Sequence, residues 1–259
     1  DSVASRGLGD VYKRQDKIRS SPAVGDVDND GVNEVVFGSH DGGLYVISLI
    51  GTQKMAYYQD GYIVGSPALF DLDSDGDMEI IFTTQVGVDS GKLFAIHHDG
   101  TDLEGFPLDL NERMMVGPAI GDLEKDGIVD IVVCTWGENI YAIEKSGQIK
   151  PGFPFTSTRR FNSAPTLADI DNDGILELFI SHGESGPQPL SLFKSNIKNK
   201  KFLRIAPKTT YGAPARGATV ILVTNKRKHA KTIDAGSGYL CQMEPVAHYG
   251  FRKNEILKN

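Results

Sequence analysis

A short acidic motif, present four times, constrains the fold of this 259-residue chain more than any other feature. Each copy follows the pattern Asp-x-Asp/Glu-x-Asp-Gly, and an apolar run comes directly after it. The first aspartates are Asp26, Asp71, Asp122 and Asp169, so successive copies lie 45 to 51 residues apart. Repetition at this period predicts modules that stack or surround an axis, each burying its apolar face against the next.

Alternating acidic side chains in each copy predict a cation-binding loop. Acids occupy loop positions 1, 3, 5 and 9, and the glycine at position 6 permits a tight turn, since a positive φ costs glycine little. Carboxylates this close repel one another unless a cation lies between them. Ca²⁺, a hard cation that takes about six to eight oxygen ligands, is the expected ion, with the backbone carbonyl of position 7 as a further ligand. The candidate ligands are Asp26, Asp28, Asp30, Val32 and Glu34 in the first copy, Asp71, Asp73, Asp75, Asp77 and Glu79 in the second, Asp122, Glu124, Asp126, Ile128 and Asp130 in the third, and Asp169, Asp171, Asp173, Ile175 and Glu177 in the fourth.

Position 12 separates this loop from the helix–loop–helix calcium motif. That motif needs a bidentate glutamate at position 12 and a helix on each side. Here position 12 is apolar in every copy, so the pattern favours a strand–loop–strand cation site. The alternative, four polar hairpin turns, does not explain why each loop carries four acids. Because Glu124 replaces an aspartate in the third copy, we expect that site to be the weakest, and affinities for Ca²⁺ of about 10⁻⁴–10⁻³ M.

Each repeat has the composition of about four β-strands. The run after the acidic loop is apolar at successive positions, which is typical of a strand covered on both faces. Four strands in about 47 residues is the size of a propeller blade, so the sequence predicts an all-β fold with a β-propeller of four blade-like repeats. Because propellers have about four to eight blades, the repeats form either a small closed ring or, as we favour, a piece of a larger one. The predicted third strands begin at Leu44, Leu93, Ile140 and Leu190.

The four copies resemble FG-GAP repeats of the integrin-α type, which also occur in VCBS-like secreted bacterial proteins. They begin Pro-Ala-Val-Gly-Asp, Pro-Ala-Leu-Phe-Asp, Pro-Ala-Ile-Gly-Asp and Pro-Thr-Leu-Ala-Asp, and the resemblance covers about residues 20–195. It implies that each acidic loop joins the first two strands of a blade and holds Ca²⁺. Calcium loops in turn favour an extracellular location, where calcium is plentiful.

The composition changes after Ser195. Residues 196–259 contain 13 Lys or Arg and 3 Asp or Glu, whereas the rest of the chain contains 14 and 31. Alternating β-branched runs between Gly and Pro turns predict a small antiparallel β domain. Residues 212–218, Gly-Ala-Pro-Ala-Arg-Gly-Ala, and residues 236–248 resemble the ASPIC/UnbV family. The final strand of that family has no counterpart here, so we expect the domain to be incomplete.

These observations predict three parts. Residues 1–16 show neither repeat nor periodicity, and we expect a leader foreign to the fold that is disordered or loosely packed. Residues 17–195 are expected to form the FG-GAP-like propeller, and residues 196–259 the ASPIC/UnbV-like domain. We expect Cys134 and Cys241 to be buried thiols rather than partners in a disulfide bridge.

The remaining signals favour a scaffold over an enzyme. The sequence has no apolar run long enough for a transmembrane helix, no nucleophile motif and no glycine-rich phosphate loop. Its net charge of −7 disfavours nucleic acid. The expected function is a secreted, extracellular calcium-binding scaffold that contacts a protein or glycan partner, as in adhesion. The alternative is a non-catalytic accessory region of a secreted polysaccharide- or lipid-degrading enzyme.

Three features leave alternatives open. His97 and His98 follow a predicted strand and form either a transition-metal pair or, as we favour, an exposed blade turn. His182 lies two residues from Glu184, which suggests acid–base chemistry, but we favour a role in ordering the loop. The basic C-terminal surface either binds an acidic partner or, as we favour, is a solvated face or is attracted to the acidic propeller.

Overall fold

The computed structural model describes residues 16–171, 173–182, 190–195, 201–233 and 245–258. Within these residues there is no helix, and therefore none that is long and apolar enough to cross a bilayer. The expected leader lies outside the described residues apart from Asp16, and so does Cys241. The strands are β1 (Ala23–Gly25), β2 (Glu34–Gly38), β3 (Gly43–Ser48), β4 (Gln53–Tyr58), β5 (Ala68–Phe70), β6 (Glu79–Thr83), β7 (Lys92–Ile96), β8 (Leu108–Asp109), β9 (Ala119–Gly121), β10 (Asp130–Cys134), β11 (Asn139–Glu144), β12 (Phe155–Thr156), β13 (Thr166–Ala168), β14 (Glu177–Ser181), β15 (Leu190–Phe193), β16 (Phe202–Ile205), β17 (Thr219–Val223), β18 (Lys228–Thr232) and β19 (Ala247–Gly250).

The first fifteen strands form four antiparallel meanders. Blade 1 contains β1–β4, blade 2 contains β5–β8, blade 3 contains β9–β12, and the described part of blade 4 contains β13–β15. In every blade an acidic loop joins the first strand to the second, as the pattern predicts. The second strand begins at the acid of loop position 9, which is Glu34, Glu79, Asp130 or Glu177.

The first strands of the blades lie around a common centre. β1 packs beside β5, β5 beside β9, and β9 beside β13. Each blade therefore presents its innermost strand to the next blade, with its later strands outward. The fold is an all-β propeller arrangement, as the repeat period predicts.

Apolar clusters between the blades explain why the second strands are apolar at successive positions. On β6, Ile80 and Phe82 pack in the cluster shared with blade 1, whereas Ile81 between them packs in the cluster shared with blade 3. Successive side chains of a strand point to opposite faces, so both faces are covered by neighbouring blades. The sequence Gly-Phe-Pro occurs twice, at residues 105–107 and 152–154. Its phenylalanine Phe106 packs in the cluster between blades 2 and 3, and Phe153 packs against the cluster between blades 3 and 4.

The C-terminal residues form a small β unit that joins the propeller. β16 pairs with β19, and β17 pairs with β18 in a hairpin. β18 also meets β5, the innermost strand of blade 2, through a bridge between Lys231 and Phe70. The hairpin thus extends the sheet of blade 2 to six strands. A satellite core that includes Leu222, Ile233 and Tyr249 holds the unit together.

Candidate metal sites

Three of the four acidic loops share one hydrogen-bond pattern. In loops 1, 3 and 4 the carboxylate of position 1 accepts the backbone N–H of the position 6 glycine, at 2.7–3.1 Å. The glycines have φ between +80° and +109°, a region that side chains other than glycine's rarely adopt, which explains the glycine at this position. In loop 2 the corresponding carboxylate, Asp71, accepts the N–H of Ser74 instead. The loops are defined as loop 1 (26–34), loop 2 (71–79), loop 3 (122–130) and loop 4 (169–177).

The acid of position 9 holds the start of each loop through a hydrogen bond to the backbone. One of its oxygens accepts the backbone N–H of loop position 2, at 2.6–3.3 Å in the four copies. Its side chain is buried in every copy, so its second oxygen is shielded from solvent and contacts only groups that enter the loop. A buried carboxylate without a charged partner is costly, and the loop therefore requires a cation or a proton at this point. The four acids are Glu34, Glu79, Asp130 and Glu177.

In loop 1 a lysine ammonium lies where a metal cation is expected. Lys54 Nζ, from β4 of the same blade, is 2.9 Å from both Asp28 Oδ2 and Asp30 Oδ2, and 2.7 Å from Glu34 Oε1. Hydrogen bonds to Glu34, Asp30 and Asp28 raise the pKa of Lys54 above its ordinary value. The carboxylates therefore converge on one positive charge, as predicted, although the charge that occupies them belongs to the protein.

Loops 3 and 4 hold a lysine in the same way. Lys150 Nζ lies 2.8 Å from Asp130 Oδ1 and 3.2 Å from Glu124 Oε2. Lys194 pairs with Asp171 in loop 4 and lies farther from the two other acids of that loop. Both lysines follow the third strand of their own blade, as Lys54 does. Three of the four loops thus carry a cation supplied by their own blade.

Loop 2 differs, because histidines occupy the place of the lysine. His97 Nδ1 lies 3.1 Å from Glu79 Oε1, and His98 pairs with Asp77. His97 is therefore not simply a residue of an exposed turn, because its imidazole faces the buried acid of position 9. Asp77 also gives loop 2 a fifth acid, at a position where the other loops have Val or Ile.

The acids of loop 2 are poorly compensated. Burial raises the pKa of Glu79 to about 8, and the nearby Asp73 and Asp71 raise it further against a hydrogen bond from Leu72. Burial likewise raises the pKa of Asp71 to about 6, and burial and Asp75 raise that of Asp77 to about 6. Bringing a cation into the loop would favour the charged forms of all these carboxyls.

The residues present fit a hard cation in three of the four loops. Ligand atoms of positions 1, 3 and 9 lie within 4.8 Å of one another in loops 1, 2 and 4, whereas the described residues of loop 3 form no such group. In loop 4, Asp169 Oδ1 and Glu177 Oε1 are buried and have no hydrogen-bond partner. Carboxylate oxygens in this arrangement are the donor set that Ca²⁺ takes, and Glu124 explains why loop 3 departs from it.

The C-terminal unit packs directly against the loops. Ala230 N, on β18, donates to Asp71 Oδ2 at 3.4 Å, and His229 Nε2 lies 2.6 Å from Ser74 Oγ. Arg227 donates to the carbonyl of Gly127 in loop 3. These contacts place the C-terminal unit against loops 2 and 3.

Loops 3 and 4 are linked through one lysine. Lys125, at position 4 of loop 3, donates to the carbonyl of Asp173 in loop 4 at 2.9 Å. Its ammonium also lies 4.2 Å from the centre of the Phe202 ring, on β16 of the C-terminal unit. A cation over an aromatic face is attracted to it, so this lysine joins two blades and the C-terminal unit at one point.

The basic groups inside the loops are the functional residues that sequence reasoning missed. They lie between 25 and 28 residues after the first aspartate of their motif, a regularity visible in the sequence. Of the other candidates, His182 forms a hydrogen bond of 2.6 Å between its Nε2 and Ser191 Oγ. Its ring packs against Phe161. Cys134 is buried in the cluster between blades 3 and 4. The missed residues are Lys54, Lys150 and Lys194, whereas His97 is a residue for which the sequence left a metal-binding role open.

Two family profiles match parts of the chain. Residues 122–180 match the FG-GAP-like repeat, and residues 208–259 match ASPIC and UnbV. Cartilage acidic protein 1 of Homo sapiens is 56% identical over 80 residues, which are 30% of this chain and 12% of that protein. Its counterpart in Xenopus tropicalis is 57% identical over 81 residues, again 12% of its length. The chain thus spans about an eighth of the length of these relatives.

Solved structures share the fold at low sequence identity. The C-terminal domain of Pseudomonas aeruginosa PilY1 superposes with a TM-score of 0.54 and 13% identity, covering 96% of this chain and 66% of that one. The V. cholerae biofilm matrix protein Bap1 superposes with a TM-score of 0.50 and 18% identity, covering 79% and 33%. The chain therefore combines a propeller-like all-β fold with one segment that matches the FG-GAP-like repeat and another that matches ASPIC and UnbV.

Proposed function

We propose that this protein is an extracellular, calcium-binding β-propeller scaffold that presents its surface to a protein or glycan partner and performs no catalysis. The observation that carries the proposal is the convergence of buried carboxylate oxygens in loop 4. Asp169 Oδ1 and Glu177 Oε1 are buried without a hydrogen-bond partner, beside Asp171. Such atoms are stabilised by a coordinated cation, and Ca²⁺ suits an all-oxygen set of this kind.

Calcium in these loops would act as a cross-link between strands. It would supply positive charge to acids directly after the first strand, within the loop and at the start of the second strand, and so hold a blade's first two strands together. Lys54 and Lys194 are partly exposed, with 30% and 47% of their side chains accessible, so each can swing into solvent when the ion enters. Lys150 is mostly buried and bonds Asp130 closely, which makes loop 3 the weakest metal site.

A scaffold role is supported by how the reactive side chains are used. The carboxylates are held in the loops, His182 bonds Ser191, and His229 bonds Ser74. The extracellular location is supported by the FG-GAP-like segment and by the similarity to cartilage acidic protein 1. A partner would be sought among extracellular proteins and glycans, with binding compared in Ca²⁺ and in chelator.

Thermal unfolding with and without calcium tests the structural role of the ion. With a dissociation constant of about 0.5 mM, about 5 mM Ca²⁺ stabilises each site by about 1.4 kcal/mol. Three sites contribute about 4 kcal/mol, and for a chain of this size the melting temperature should rise by about 8–16 °C. Mg²⁺ should restore little of this stability after chelation, because it requires a smaller, octahedral site. An unchanged melting temperature in EGTA and in Ca²⁺ would contradict the proposal.

A further inference from the structure

We propose that loop 2 is a mixed imidazole–carboxylate site that takes a transition-metal dication such as Zn²⁺ in preference to Ca²⁺. The proposal rests on the proposed cation role of the loops, and it adds which metal the second loop selects. His97 is the residue that sets this choice. It lies at the place in its blade from which a lysine enters each of the other three loops.

The comparison among the loops is the first argument. Lys54, Lys150 and Lys194 bring an ammonium group to the position 9 acid of their loops, at 2.7, 2.8 and 3.8 Å. An ammonium donates hydrogen bonds but has no lone pair for a metal. An imidazole in the same place offers a nitrogen lone pair, so in loop 2 the same position changes from a competitor of a metal into a ligand for it.

The positions of the donor atoms are the second argument. His97 has a ring nitrogen within 4.8 Å of ligand atoms of Asp73 and Asp75, and also within 4.8 Å of ligand atoms of Asp77 and Glu79. His97 Nδ1 and Glu79 Oε1 are 3.1 Å apart. Two atoms at this separation, each about 2.1 Å from one ion, subtend an angle of about 95° at it, and a separation of about 3.4 Å gives the angle of about 109° that tetrahedral Zn²⁺ takes, so both atoms can bind one ion after a small shift.

Burial and charge are the third argument. Glu79 and Asp71 are both fully buried, and Asp77 Oδ1 is buried without a hydrogen-bond partner. The ion pairs that the described residues form at loop 2 come from His97 and His98, not from a lysine. Loop 2 therefore has five acids and, among the described residues, no ion pair with a lysine, which makes it the loop with the strongest demand for a divalent ion.

The chemistry of the donors selects the class of metal. Carboxylates alone suit Ca²⁺ and Mg²⁺, whereas imidazole suits Zn²⁺, Cu²⁺ and Ni²⁺, which also exceed Mn²⁺ in affinity for nitrogen-containing sites. The alternative hypothesis is that His97 only donates a hydrogen bond to Glu79. That hypothesis predicts no nitrogen–metal bond and no special affinity of loop 2 for Zn²⁺.

Calorimetric titration of the metal-free full chain with Zn²⁺ tests the assignment. We compare the wild type with His97→Gln and with His40→Gln, a matched control in which the lost histidine stacks on Tyr62 away from the loops. One tight Zn²⁺ site is expected in the wild type and in His40→Gln. His97→Gln should weaken that site by at least about 10–100-fold, because losing only an outer-shell partner of a metal ligand already costs that much affinity.

Pulsed electron paramagnetic resonance with Cu²⁺, added at less than about one equivalent, supplies a readout that a structural role of His97 would not affect, because Cu²⁺ also prefers imidazole ligands. Wild type and His40→Gln should show ¹⁴N coupling to the bound ion, and His97→Gln should not. An unchanged melting temperature of His97→Gln in Ca²⁺ shows that the variant is folded. Zn²⁺ affinity that survives His97→Gln, or absence of ¹⁴N coupling in the wild type, would overturn the inference. If Zn²⁺ binds as expected but Ca²⁺ fails to stabilise the chain, the calcium scaffold is refuted and this inference stands.

Discussion

Replacing Arg227 with methionine tests how the C-terminal unit is fixed to the propeller. Arg227 Nε lies 2.7 Å from Glu255 Oε1, and only 4% and 0% of the two side chains are accessible. Arg227 Nη2 donates to the carbonyl of Gly250 at 2.7 Å, and Nη1 donates to the carbonyl of Gly127 in loop 3. One guanidinium group, on the residue directly before β18, thus contacts both β19 and loop 3.

The expected loss follows from what remains after the substitution. Removing one partner of a buried ion pair costs about 3–5 kcal/mol, because the other charge stays buried. Here Glu255 keeps hydrogen bonds from the Thr224 hydroxyl and the Arg252 backbone N–H, each at 2.7 Å. We therefore expect the lower end of the range, about 3 kcal/mol, for Arg227→Met. Replacing both partners by apolar residues, in Arg227→Met/Glu255→Met, should restore most of that loss, because no charge is left unpaired.

Urea unfolding of the wild type, both single variants and the double variant measures this coupling. A double-mutant cycle should give an interaction energy of more than about 3 kcal/mol between the two positions, because each single variant loses about 3 kcal/mol and the double variant loses less than either. If the double variant is as unstable as Arg227→Met, the buried charge of Glu255 is not the cause of the loss and the reasoning is refuted.

Three further predictions concern the acidic loops and the C-terminal unit that packs against them. Asp171→Ala should weaken Ca²⁺ binding at its loop more than Asp122→Ala does, because loop 3 lacks a converging ligand group; equal losses in calorimetry would reject the ranking. His248 is buried, and burial and then Lys231 lower its pKa to about 4, so the unfolded chain takes up a proton near pH 6.5 before the folded one does. Stability should be complete above pH 6.5 and fall by about 3 kcal/mol toward pH 4; His248→Phe should abolish that part of the slope in unfolding curves at several pH values. Gly250→Ala should cost about 1–3 kcal/mol, because the added Cβ would overlap Asp122 Oδ2, and a thermal shift of less than 2 °C, on the order expected for under 1 kcal/mol, would argue against this packing.

Much of the fold could be predicted because its signals are local. The acidic loop, the apolar second strand and the third strand recur at one period, and the third strands lie where the sequence places them, at β3, β7, β11 and β15. The alternation of Ile80 and Ile81 between two clusters follows from the pleat of a strand covered on both faces. No information beyond one repeat is needed for any of these features.

The contents of the loops were harder to predict because they depend on contacts between distant residues. Lys54 lies 20 residues beyond Glu34, its closest partner, and reaches it only once the blade has folded. The contact of β18 with β5 rests on one backbone bridge between Lys231 and Phe70, which has no side-chain signature. The sequence favours a turn over a metal-binding role for His97 because its partner, Glu79, lies on another strand.

The lysine or histidine that enters each acidic loop comes from the same blade as the loop itself. The basic partner of each acidic loop therefore moves with that loop when a blade is duplicated or deleted. A blade exchanged as one segment, from its first strand to its basic residue, should be tolerated, whereas a junction placed between the loop and that residue should not. Growth of such a propeller by tandem duplication thus supplies each new acidic loop with its own basic partner.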